Sequence, residues 1–156
     1  MPAVIIDGKQ MAEEIRQEIG EGVKRLLASG GPRPGLAAFL VGDDPASAIY
    51  VRNKRRACDE AGMFSETFDL PSDISQSELI EQLGRINLDP MFHGILVQLP
   101  LPSHIDEREV ILAIDPDKDV DGLHPFNAGR LAEGAPVFLP ATPAGVQQML
   151  ARTGND

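Results

Sequence analysis

The sequence holds a single cysteine, Cys58, among 156 residues. An internal disulfide is therefore excluded, and a reducing, cytoplasmic setting is the expectation. No apolar run approaches the ~20 residues of a membrane-spanning helix. The first residues, Met1-Pro2-Ala3-Val4-Ile5-Ile6-Asp7, lack the basic start and long apolar core of a signal peptide. Basic residues are few: 14 Lys and Arg face 24 Asp and Glu, a net charge of -10. That balance argues against general nucleic-acid binding, which needs basic surface to replace counterions. The three histidines, His93, His104 and His124, lack metal-ligand spacing, and with one cysteine no zinc site is expected. Nucleotide and nucleophile signatures are missing as well. Gly20-Glu21-Gly22 lacks the third glycine of a dinucleotide loop, and no P-loop, G-x-S-x-G or C-x-x-C occurs.

What is present reads as one α/β domain. An apolar fraction of 42% and a charged fraction of 24% are those of an ordinary globular chain with a core. Val4 to Ile6 reads as a short strand with Asp7 as the following cap. Met11, Ile15, Ile19, Val23, Leu26 and Leu27 recur at helical spacing, predicting a helix over roughly Lys9 to Ala28. Leu36 to Val41 is a continuous apolar run, a buried strand. Pro45 suits the first turn of a helix running to about Ala61. Phe64 to Leu70 reads as a further strand. Ser75-Gln76-Ser77-Glu78 is a capping box opening a helix to about Asn87. Gly94 to Leu99 is another buried strand, Glu107 to Ile114 a short helix, and 115–134 a long ordered loop with one helical turn. Thr142 as cap and Pro143 at the first position open a last helix to about Arg152. Strands alternating with helices predict an open, mostly parallel sheet with helices on both faces, a three-layer α/β/α arrangement.

In such sheets ligands bind beyond the carboxyl ends of strands. Tyr50 and Lys54 follow one strand end, Gly42-Asp43-Asp44, and lie four apart on one helix face. A broad ring and an amine directed into one cleft suit a flat substrate whose chemistry moves a proton. An ordinary lysine holds its proton until about pH 10.4, so such work at neutral pH requires burial or nearby cations. Gln98 closes an otherwise apolar strand, and a buried amide needs partners; either local backbone or Lys54 and a ligand would serve. Leu99-Pro100-Leu101-Pro102 stiffens the exit. Arg52, Lys54, Arg55 and Arg56 form a basic cluster, read either as solvated surface or as attraction for an anionic ligand tail. Asp117 to Gly122 is an acidic run that reads as an exposed turn. It imitates the start of a calcium loop, but Ala128 stands where the terminal glutamate belongs.

Four segments together resemble the bifunctional methylenetetrahydrofolate dehydrogenase/cyclohydrolase family: Val41 to Ser47 with Tyr50 to Lys54; Gly94 to Pro102; Lys118 to Leu123 continuing through Asn127 to Leu131; and Pro140 to Gly145. The resemblance spans essentially the whole chain. It implies that Lys54 is the catalytic side chain, with Tyr50, Gln98 and Asp121 beside it. Tyr50 stacks on the folate, Gln98 hydrogen-bonds Lys54, and Asp121 binds the polar edge of the pterin. Ser47 supports the lysine, and Val97 and Leu99 line the pocket. It also implies tetrahydrofolate derivatives as substrates, no metal, and NADP held by a Rossmann-type domain outside these residues. Residues 1–140 would be the folate-binding catalytic domain and 141–156 the link towards that second domain, with a homodimer for the longer protein. Ala141 replaces the family's usual cysteine. A non-catalytic folate-binding or interaction module is the alternative.

Overall fold

The computed structural model describes residues 5–154. Asp7 accepts from the backbone N–H groups of Lys9 and Gln10 and opens helix α1, Gly8–Ala28. Strand β1, Gly35–Val41, leads through a turn at Gly42 into α2, Pro45–Glu60. Strand β2, Phe64–Leu70, and helix α3, Gln76–Leu88, follow. The reciprocal bonds of the Ser75–Glu78 capping box are both made at the start of α3. Strand β3, Gly94–Val97, then precedes α4, Glu107–Leu112; α5, Pro125–Ala132; and α6, Ala141–Arg152.

The three strands form a parallel sheet in the order β2-β1-β3. The central strand is apolar throughout because both its faces are covered. Ala37, Phe39 and Val41 point to one side, where they meet Ile95 and Val97 of β3, Leu79 and Leu83 of α3 and Val110 of α4. Phe39 stacks on Phe68 with ring centroids 4.8 Å apart, extending this core to β2. Ala38 and Leu40 point to the other side, where Val51 of α2 and Leu96 of β3 close over them. The expected helix–sheet–helix layering is therefore present.

Several expected boundaries move. Ile5 and Ile6 carry no strand, and Ile5 is 90% exposed; Val4 lies outside the described residues. The strand expected to run to Leu99 stops at Val97, because Pro100 has no N–H to continue a ladder. Helix α4 ends at Leu112 and is capped at Ala113. The segment read as a loop with one turn contains α5, whose cap is the His124 side chain accepting from the Phe126 N–H. Thr142 does not cap α6: Pro140 is the N-cap and no side chain bonds there. Pro143 falls in the first turn, whose N–H groups have no intrahelical acceptor, so its missing donor costs nothing. The far end of α6 is docked on α1, where Arg152 grips Glu18 through two bonds of 2.8 and 2.7 Å.

Candidate active site

The site is built where β1 and β3 end. Gly42, at φ +84°, turns the chain out of β1 in a conformation that favours glycine. The Asp44 carboxylate then accepts from the Ser47 N–H at 2.7 Å and fixes the entry of α2. Backbone and side-chain hydrogen bonds from Ser47 hold the Asp44 carboxyl below its usual range. Ser47 is buried and bound into this cap. Val51 anchors α2 on the sheet. Tyr50, on the flank of the helix, is 62% exposed and presents its ring to open space.

One turn further along, Lys54 Nζ donates to Gln98 Oε1 at 3.2 Å. Gln98 Nε2 donates to the Leu99 carbonyl at 2.7 Å, and the Gln98 backbone N–H donates to the Phe39 carbonyl at 2.9 Å. A carbonyl can only accept, so the Leu99 bond orients the amide and turns its oxygen to the lysine. The glutamine is thus satisfied by both partners weighed from sequence, backbone and Lys54.

Asp121 joins from the loop after α4. Burial pushes its carboxyl up from the usual range; the Lys54 charge opposes this and the Asp119 charge adds to it. Val97, Leu99 and Asp121 line a cavity of about 10 Å³. This space is too small for a ring. Lys54 thus meets Gln98 by a hydrogen bond and Asp121 through charge, and Val97 and Leu99 share the small cavity with Asp121. Ser47 stands two helical turns before Lys54 and is committed to Asp44.

Two further residues shape the site. Asp119 and Asn127 are 2% and 1% exposed and bonded to each other at 2.9 Å. The acidic run read as an exposed turn therefore carries a buried carboxylate. Its signal in the sequence was weak, because Asp119 differs from its neighbours Asp117 and Asp121 only in what it meets in space.

Other candidates are occupied elsewhere. Arg56 pairs with Glu60 at 3.4 Å on the exposed surface, and Arg52 and Arg55 are exposed. Cys58 is buried, and burial pushes its thiol up. His93 Nδ1 accepts from the Gly35 N–H, His104 Nε2 bonds the Ile74 carbonyl, and His124 caps α5. Among the described residues no group of three His, Cys, Asp or Glu side chains could hold a metal, and no helix is long and apolar enough to cross a membrane.

Residues 6–121 match the family model of the tetrahydrofolate dehydrogenase/cyclohydrolase catalytic domain. The chain belongs to that family. A bifunctional protein FolD of Moorella thermoacetica is 54% identical over 156 residues, all of this chain and 55% of that protein. The solved structure of a 5,10-methylenetetrahydrofolate dehydrogenase from the silkworm Bombyx mori superimposes with a TM-score of 0.97 at 42% identity, over 99% of this chain and 53% of that one. A Trypanosoma brucei methylenetetrahydrofolate dehydrogenase-cyclohydrolase, solved with NADP cofactor and an inhibitor, gives 0.94 at 39%, over 99% and 53%. The chain spans about half the length of the relatives it matches. The resemblance carried by the four sequence segments is thus family membership.

Proposed function

We propose that this chain is the folate-binding catalytic part of an enzyme that oxidises 5,10-methylenetetrahydrofolate with NADP and hydrolyses the methenyl product to 10-formyltetrahydrofolate. The carrying observation is the Lys54–Gln98 hydrogen bond at 3.2 Å with Asp121 beside it. In this reading the folate ring system stacks on Tyr50, and Asp121 accepts from the donors along the pterin edge. Val97 and Leu99 form the apolar floor, and Ser47 acts on the lysine only through the start of its helix.

Hydrolysis needs water to add to the methenyl carbon between N5 and N10. Lys54 takes a proton from that water as the C–O bond forms. The C–N5 bond then breaks, N5 takes a proton from Lys54, and the formyl group remains on N10. One proton leaves to solvent over the cycle. Gln98 keeps Lys54 aimed through both protonation states, because its oxygen accepts from the ammonium and from the amine alike. A general acid–base of this kind contributes about 10² to 10⁴ in rate.

The oxidation needs a hydride acceptor. The described residues do not fit a dinucleotide. The turn after β1 is acidic, and Asp44 already occupies the α2 N-terminus where a pyrophosphate would bind. We assign NADP to the remainder of the longer protein; the same reading takes 1–140 as the folate unit, 141–156 as the link, and a cytoplasmic homodimer as the assembly.

The test is loss of methenyl absorbance in the presence of this chain and of its Lys54→Met variant. Turnover above buffer that vanishes in the variant supports the reading. Folate binding unaffected by Lys54→Met, with no turnover in wild type, would instead make the chain a binding module. A folded chain that binds no folate would reject both.

A further inference from the structure

We propose that Asp119 is a positioning residue for the folate site, clasping the loop that carries Asp121; the proposal rests on the folate reading above. The loop is pinned at its start. The Ile95 N–H donates to the Lys118 carbonyl at 2.7 Å, and Asp119 bridges Ile95 in parallel register on the outer side of β3. Val120 and Asp121 follow at the centre of a turn, and their side chains go to opposite faces of the sheet. Val120 turns to the α2 side of the sheet, filling the space left by Gly94. Asp119 and Asp121 turn to the other side and share the small cavity with Ile95 and Val97.

The chain reverses through Val120 and Asp121, and Asp119 closes the reversal. Its Oδ2 accepts from the His124 N–H at 2.8 Å and from Asn127 Nδ2 at 2.9 Å. Its carbonyl accepts from the Gly122 N–H at 3.2 Å, where Gly122 sits at φ +65°. One residue thus holds the turn that carries Asp121 and the start of α5. Asn127 is turned to serve it. Its Nδ2 also donates to the Pro116 carbonyl at 2.8 Å, while its buried Oδ1 has no partner. An amide that leaves its oxygen unpaired in the interior is oriented by the groups it donates to. Asp119 itself stands two residues from Asp121 with its carboxylate committed to the clasp. Its effect on ligand runs through the placement of its neighbour.

The test is calorimetric binding of 5,10-methenyltetrahydrofolate to wild type, Asp119→Ala and Asp119→Asn, with hydrogen exchange followed along the chain. In Asp119→Ala, β1 stays protected, 120–127 loses protection, and affinity falls at least about tenfold. Asp119→Asn keeps an acceptor for the His124 N–H and regains most of both. Asn127→Ala breaks the clasp from its other side and decides the matter where Asp119→Ala does not fold. Wild-type affinity in either folded alanine variant overturns the proposal. So does protection lost equally across the sheet without rescue by asparagine, which would make Asp119 a general structural residue. Failure of wild type itself to bind overturns the folate reading and takes the proposal with it.

Discussion

Lys54 and Gln98 lie 44 residues apart in the chain and meet at 3.2 Å, the lysine from α2 and the glutamine from the end of β3. Neither position alone points to chemistry. Their contact exists because β1 and β3 are neighbours, so the helix after β1 stands over the exit of β3. Gln98→Leu keeps the size and removes the acceptor. Expected is a loss of about 1 kcal/mol in urea unfolding and a fall of about tenfold to a hundredfold in methenyl hydrolysis. Unchanged turnover in a folded variant would remove Gln98 from the catalytic group.

Asp121 gives a pH dependence with a definite sign. Its folded carboxyl titrates above the ordinary aspartate value of 3.8, first because of burial and then because of Asp119. Between the ordinary and the raised value the folded state binds the extra proton, so stability falls as pH rises through that window. Asp121→Asn removes the term. The variant should gain on wild type as pH rises from 3.5 towards neutrality, and the two stability curves should run parallel below the window. Because the Lys54 charge opposes the shift, Lys54→Met should move the Asp121 titration further up. Carboxyl-carbon NMR reads both effects, and a downward move in Lys54→Met would contradict the assigned proximity.

Lys118 was one letter in a family motif, but its ammonium donates to the carbonyls of Ile86 at 3.1 Å and Asp89 at 2.9 Å. These close the C-terminal end of α3, where carbonyls lack partners and a cation is favoured. Lys118→Met should lower stability by about 1–3 kcal/mol. Amide exchange should rise first at 85–89, and an effect confined to the loop around Asp121 would be the wrong outcome.

Local signals were the ones legible in the sequence. The apolar run of β1, the Ser75–Glu78 capping box and the four-residue spacing of Tyr50 and Lys54 each depend on neighbours along the chain. The α5 helix was hidden because its cap is a histidine and Gly129 interrupts its interior. The burial of Asp119 was hidden for a different reason. It depends on β3 lying at its side and on Asn127 folding back over it, contacts that follow from strand order. Strand order also brings Gln98 to Lys54, and no periodicity encodes it.

Gly94 and Val120 test how tightly the Asp121 loop is seated against β3. A Cβ placed on Gly94 would collide with Val120 Cγ1. The valine side chain cannot withdraw freely, since it packs into the cluster of Ala38, Leu40, Val51 and Leu96. Gly94→Ala should therefore cost about 1–3 kcal/mol by overpacking, and the displaced loop should carry Asp121 away from Lys54, weakening folate binding as well. Val120→Ala alone opens a void and also destabilises. In the double variant the added methyl fills part of the space the valine vacates, so the two losses should sum to more than the loss observed. Urea unfolding of the four proteins measures that coupling. Additive losses would mean that the loop is not held by this contact, and that its register against β3 rests on the Ile95–Lys118 hydrogen bond alone.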